Sequence, residues 1–150
     1  MTTGTTAPFE MAWTAEAVDE TITPEVEAAI RATCLDYFDG WFDGDAERMD
    51  RALHPALAKM AIGQHKERGE DVDRDTKETM VEATRQHLGA ARDLPDRKIR
   101  VDVTAVSGRL ASAVIHSAVY IDFVLLYRTT DGWKITNALW QWAPGNGPRA

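Results

Sequence analysis

Apolar residues change their spacing two-thirds of the way along the chain. Up to about residue 92 they recur at helical intervals, and from Arg97 they follow one another as in strands. The first helix begins at Thr23, an N-cap candidate, with Pro24 at the first helical position. Glu25 and Glu27 suit the positive end of its dipole. Val26, Ala29, Ile30, Thr33, Tyr37, Phe38 and Trp41 give it one apolar face. Gly44 ends it. Asp45 caps a short second helix that turns Met49, Ala52 and Leu53 inward and closes at His54-Pro55. Leu57 to Ile62 fits a short strand or a turn of helix, and Gly63 to Asp75 reads as a charged loop. A third helix is expected over roughly Asp75 to Arg92, with Met80, Thr84, His87, Leu88 and Ala91 on one side. Pro95 separates it from the strands.

Strands are expected at about 97–106, 109–119, 120–129 and 133–142, with Ser107-Gly108 as a tight turn. Asp131-Gly132 is a two-residue hairpin signal, since a type I′ turn needs positive φ at both central positions. With those two residues as the loop, Thr130 faces Trp133, Arg128 faces Ile135, Leu126 faces Asn137, Val124 faces Leu139 and Asp122 faces Gln141. The opposite face then carries Ile121, Phe123, Leu125, Tyr127, Ala138, Trp140 and Trp142. Both faces are largely apolar, so both need cover. Helices cover one, and the other points to a partner. Helices first and antiparallel strands after make an α+β layout. Residues 1–22 are expected to be a flexible segment in which Phe9, Met11 and Trp13 dock on the body or a second subunit. Residues 23–143 form the domain, and 144–150 a tail.

The chain has 150 residues, enough for one domain with a real core. A net charge of −7 argues against nucleic acid or an anionic membrane as partner. No 18-residue apolar run is present, so no membrane-spanning helix is expected. The N-terminus lacks the basic and apolar regions of a secretory signal, which makes a cytoplasmic protein the simplest expectation. Cys34 is the single cysteine, so no internal disulfide exists. No Cys or His spacing suits a metal, and no cofactor is implied.

Tyr37-Phe-Asp-Gly-Trp-Phe-Asp-Gly-Asp45, then Leu53-His-Pro55, then Asp122-Phe-Val-Leu-Leu with Asp131-Gly-Trp-Lys-Ile-Thr-Asn137, resemble the nuclear transport factor 2-like superfamily. Within it the likeness is to the putative lumazine-binding branch of small bacterial proteins, also similar to polyketide cyclases. It covers about residues 24–142. The resemblance implies a cone: a curved antiparallel sheet wrapped around N-terminal helices, with a pocket at the open end. Many members are homodimers through the outer sheet face. The superfamily includes isomerases, dehydratases, cyclases, epoxide hydrolases and non-catalytic binders, so fold alone does not select a chemistry.

Tyr37 is the leading catalytic candidate. Its spacing to the Gly-Asp turn is similar to that around the oxyanion tyrosine of ketosteroid isomerases, and a buried phenol can donate to a developing oxyanion. The isomerase base, an aspartate shortly after the second helix, has no counterpart in Lys59-Met-Ala-Ile62, which argues against that reaction. By the register above Asp122 shares a face with Asn137, Leu139 and Gln141, a polar end for a pocket in which Asp122 acts as base. Its simpler role is a strand end near solvent. His87, beside Met80 and Leu88, is a second candidate base. His54 is a cap or a ligand contact, and His65 is solvated. His116 fits either face of its strand. Trp41 and Trp140 are candidates to stack on a flat ligand, though core and interface filling is the plainer account of Trp133, Trp140 and Trp142. Two functions follow: a cofactor-independent acid–base enzyme acting on a mostly apolar metabolite, or a non-catalytic binding protein or accessory dimerisation subunit.

Overall fold

A computed structural model describes residues 22–146. The expectations for Phe9, Met11, Trp13 and the last four residues lie outside that range. Helix α1 spans Pro24–Asp43. The Thr23 hydroxyl accepts from the Val26 N–H at 3.2 Å, and Pro24 follows as expected. Gly44 closes the helix at φ 68°, ψ 28°. A side chain there would meet a second obstacle, because a Cβ would lie 2.1 Å from His87 Nδ1. Helix α2, Ala46–Ala52, is capped by the Asp45 carboxylate and buries Met49 and Ala52.

The chain then enters strand β1, Leu53–His65, without a loop. Its ladder breaks between Leu53 and Ala58, where Pro55 has no N–H to give. Strand β2, Gly69–Asp75, folds back on it antiparallel, from Lys59 opposite Asp75 to His65 opposite Gly69. The charged loop expected over Gly63 to Asp75 is therefore mostly strand. Its charges mark an exposed sheet edge, where ionic side chains keep other strands from pairing.

Thr76 and Thr79 form a capping box on helix α3, Lys77–Arg85. This helix stops seven residues short of the expected Arg92. His87 takes the left-handed region, φ 61°, and the chain turns through Gly89 into a single 3₁₀ turn, Ala90–Arg92. Strands β3 (Arg100–Ser107), β4 (Leu110–His116), β5 (Tyr120–Thr129) and β6 (Gly132–Trp142) follow.

The six strands form one curved, unclosed sheet in the order β2-β1-β6-β5-β4-β3. All neighbours are antiparallel except β1 and β6, which are parallel. Helix α1 lies across the concave face. Ile30, Cys34, Tyr37 and Phe38 are buried there with Val101, Ile115, Val124, Leu126 and Ile135. It is tied to the strands by Arg31, which donates to the Val101 carbonyl, and by Thr33, which donates to the Trp133 carbonyl at 3.1 Å. Arg97 clamps Asp39 and Asp43 of α1 together with Asp93, all within 2.8 Å.

The β5–β6 register differs from the one inferred from Asp131-Gly132. Thr129 pairs with Gly132, so Thr130 and Asp131 form the loop. That slip moves each partner by two residues and leaves the faces unchanged near the turn. A bulge then changes them. Leu126 pairs with Ile135 but Leu125 with Asn137, which leaves Thr136 as the extra residue. Past Thr136 every β6 side chain is reversed. Ala138, Trp140 and Trp142 join the concave face with Tyr120, Asp122 and Val124. Asn137, Leu139 and Gln141 point to the convex face with Ile121, Phe123 and Leu125, so the expected grouping of Asp122 with those three residues is corrected. His116 also takes the convex side, 3.0 Å from Arg100 and 3.3 Å from Asp102. Among the described residues no helix is long and apolar enough to cross a membrane.

Candidate functional site

The sheet and helices enclose a cavity of about 630 Å³. Tyr37, Phe38 and Trp41 of α1 form one wall, and Tyr120, Asp122, Trp140 and Trp142 of β5 and β6 the opposite one. Lys59 of β1 and Asp73 and Asp75 of β2 close one side. Met80 and Ala83 of α3, with Leu88, Ala91 and Arg92 beyond it, close the other.

Besides the charged side chains Asp73, Asp75 and Arg92 of the lining, three polar groups in the interior form one chain. The Tyr37 hydroxyl donates to Asp122 Oδ2 at 2.6 Å and accepts from Lys59 Nζ at 2.5 Å. Tyr37 and Asp122 are each 2 % exposed, and Lys59 is half-buried in the wall. Burial pushes the Asp122 carboxyl above its ordinary value, while the Lys59 ammonium and the Tyr37 hydroxyl pull it back. Burial pulls Lys59 below its ordinary value against the opposing pull of Asp122, Asp75 and Asp73. The Tyr37 phenol is held well above its usual range, first by burial and then by the charge of Asp122. Tyr37 is thus a proton donor at any physiological pH. Asp122 and Lys59 both shift toward their uncharged forms.

Aromatic rings build the rest. Tyr120 meets Trp140 edge-on at 5.5 Å and Trp142 at 5.1 Å, and Trp41 Nε1 donates to the Tyr120 hydroxyl at 3.1 Å. Lys59 Nζ sits 4.9 Å from the Tyr37 ring centre and 5.6 Å from that of Trp140. At the rim the Arg92 guanidinium lies 4.7 Å from the Trp142 ring centre. Trp140 Nε1 is buried and has no hydrogen-bond partner among the described residues. Gly89 permits this wall, because a Cβ there would lie 2.4 Å from the Trp41 carbonyl oxygen.

Of the residues singled out from the sequence, Tyr37, Asp122, Trp41, Met80 and Trp140 meet in this cavity. His87 does not. The early end of α3 leaves it exposed against Gly44 rather than facing the sheet. His54 lies outside the cavity and accepts from the Ala56 N–H through Nδ1 at 3.0 Å. Asn137, Leu139 and Gln141 lie on the convex side for the reason given above. Cys34 is enclosed in the core, and burial pushes its thiol up to about 12. No group of three or more His, Cys, Asp or Glu residues suited to a metal occurs among the described residues.

Sequence reasoning missed Lys59, Asp73, Asp75, Tyr120 and Arg92. For Lys59 a signal existed. Once Leu57 to Ile62 is taken as a strand, alternation puts Lys59 on the buried face of Leu57. Asp73 and Asp75 carried no such mark, because a charged edge strand has the composition of a loop.

Buried ion pairs contribute little net stability, while breaking one leaves an uncompensated charge. We therefore expect Lys59→Met and Asp122→Leu each to lower unfolding free energy in urea by about 3 kcal/mol. The double variant should recover most of that loss. Additive losses in the double variant would show that the two groups are not energetically coupled and would contradict the pairing.

Several solved structures share this architecture. A nuclear transport factor 2-like protein of unknown function from Shewanella baltica matches with TM-score 0.64 and 15% identity, over 83% of this chain and 99% of that one. One from Silicibacter pomeroyi gives TM-score 0.62 at 14% identity, over 82% of this chain and 100% of that one. A nuclear transport factor 2-like protein with a cystatin-like fold from Novosphingobium aromaticivorans gives 0.59 at 18% identity, over 81% and 84%. At these identities the likeness is one of fold. No curated protein matches the chain. The family model described as putative lumazine-binding matches residues 25–141, nearly the whole cone, and the chain belongs to that family, with a nuclear transport factor 2-like fold.

Proposed function

We propose that the cavity binds a mostly apolar, ring-bearing small molecule and moves a proton on it without a cofactor. The observation that carries this reading is the Tyr37 hydroxyl held between Asp122 and Lys59 in a chamber walled mainly by aromatic and apolar side chains. Such a chain is a poor stabilising device. It is a good catalytic one. The raised Asp122 carboxyl stands closer to neutral pH, where a general base is effective. Tyr37 donates to oxygen as charge develops there, and Lys59 favours that charge from behind the phenol. Ring walls at Trp41, Trp140 and Trp142, and the ligand named in the family description, support a flat ring as the bound group. Isomerisation, dehydration, cyclisation or epoxide opening all need this pairing of base and donor.

Proton exchange in heavy water tests the reading without knowledge of the substrate. Cyclic ketones and enones are incubated with the protein, and deuterium uptake beside the carbonyl is followed by NMR. Exchange above the buffer rate is expected, falling about 100-fold in Asp122→Asn and less in Tyr37→Phe. Ketones that quench tryptophan fluorescence yet never exchange would make this a binding protein only.

We also infer that the convex face pairs with a second copy of the chain. Phe123, Leu125, Leu139 and Leu110 are 62%, 53%, 50% and 58% exposed there. Phe123 lies directly opposite Leu139 on β6 and Val114 on β4, so these side chains form one patch rather than scattered positions. A self-complementary sheet face suits a two-fold dimer. Sedimentation should give a dimer at micromolar concentration, and Phe123→Glu with Leu139→Glu should give a folded monomer. A monomeric parent protein would exclude the pairing.

A further inference from the structure

Lys59 differs from the other lysines of the chain. Lys77 is paired with Asp50 at 3.3 Å, and Lys134 donates to the Arg51 carbonyl at 2.6 Å. Neither they nor Lys66 and Lys98 line the cavity, while Lys59 does. A lysine kept only as counter-ion to Asp122 would bond that carboxylate directly. Here the hydrogen bond that Nζ makes among the described residues goes to Tyr37, and Tyr37 in turn bonds Asp122. Lys59 therefore meets Asp122 through the phenol, at the head of a proton path. Its Nζ lies 4.9 Å from the Tyr37 ring centre and 5.6 Å from that of Trp140.

We propose that Lys59 is an imine-forming nucleophile for aldehydes and ketones held in this cavity, with Tyr37 as the group that relays its protons. The inference rests on the preceding reading only in placing the ligand beside these residues. The Nζ lone pair attacks the carbonyl carbon, and the C=O π electrons move to oxygen. The proton that leaves nitrogen passes through the Tyr37 hydroxyl toward Asp122, and a proton returned the same way completes the carbinolamine. A second proton, given by Asp122 through the Tyr37 hydroxyl, releases the carbinolamine hydroxyl as water while nitrogen closes the C=N bond, and the iminium N–H proton then returns to Asp122 by the same path. In sum, a carbonyl compound and a primary amine give an imine and one water, with no oxidant or reductant.

Three features favour the step. Burial favours the uncharged amine, the nucleophilic form, in Lys59. The phenol within 2.5 Å of Nζ provides proton transfer where the surrounding rings cannot. The rings of Trp41, Trp140 and Trp142 offer the substrate's apolar ring a surface in the same cavity. An imine also makes the neighbouring C–H more acidic, and Asp122 is the base at hand. Carbonyl compounds with an apolar ring are then the substrate class.

Reductive trapping tests this. The full chain is incubated near neutral pH with limiting 2-naphthaldehyde and sodium cyanoborohydride, which converts an imine irreversibly to a secondary amine. Tryptic peptides are then mapped by mass. The label should reach Lys59 at least about tenfold faster than Lys66, Lys77, Lys98 or Lys134, and Tyr37→Phe should slow it about 100-fold. Label spread over the surface lysines with Lys59 bare overturns the proposal. That map is made on the parent protein, so it decides even where Lys59→Met does not fold. The heavy-water exchange assay is read separately, and exchange that persists without trapping at Lys59 leaves the acid–base reading standing while removing this one.

Discussion

A tyrosine hydroxyl placed between a carboxylate and an ammonium, inside an apolar chamber, is the arrangement around which this molecule is organised. Neither ion belongs in such a place alone, because each loses its hydration there. Tyr37 gives both a partner at 2.6 and 2.5 Å, and three separate elements must be in position for it to do so. Tyr37 comes from α1, Lys59 from β1 and Asp122 from β5. The ties of α1 to the sheet therefore serve the chamber as much as the fold. Arg31 and Thr33 fix its N-terminal half to backbone carbonyls of β3 and β6, and Arg97 fixes its C-terminal half through two aspartates. A helix held at both ends cannot slide, and the hydroxyl stays over Asp122.

The sheet solves the matching problem from the other side. A flat β5–β6 ladder in one register would show Trp133 and Ile135 to the helix and then Asn137, Leu139 and Gln141 to the chamber. The extra residue at Thr136 changes the parity, so Ile135 packs under α1 while Trp140 and Trp142 line the cavity. One residue thus separates a packing end of the strand from a ligand end. It also bends the ladder, as do the irregularities in β1–β6 and β3–β4, and bending is what makes a chamber out of a sheet.

Much of this was legible in the sequence, for local reasons. Thr23, Pro24, Gly44 and Asp45 carry the ends of two helices in their own side chains or in their lack of one. The order of helices and strands, and the motifs around Tyr37 and Asp131-Gly132, were enough to indicate the cone. Tyr37 and Asp122 stood out as polar groups in apolar runs, and the structure brings them into contact. What failed was non-local. The bulge at Thr136 answers to curvature of the whole sheet, so β-strand alternation read from the turn put Asn137, Leu139 and Gln141 on the wrong side. The left-handed His87 follows the early end of α3, and its ring takes the space a side chain at Gly44 would need, a contact between residues far apart in the chain. The edge strand β2 looked like a loop because edges and loops share a composition. Lys59 was hidden by the same uncertainty, since its face could not be assigned before its segment was known to be a strand.

The protonation of the chain of three groups can be read directly. Carbon-13 NMR titration of the Lys59 side chain next to its amine, and of the Asp122 carboxyl carbon, follows each group through its own equilibrium. The account predicts that Lys59 titrates below the other lysines, that Asp122 titrates above the ordinary carboxylate range, and that Asp122→Asn lowers Lys59 further by removing the charge that opposes burial. Ordinary values for both groups, unmoved by removal of the partner, would mean that they face water rather than one another and would contradict the chamber described above.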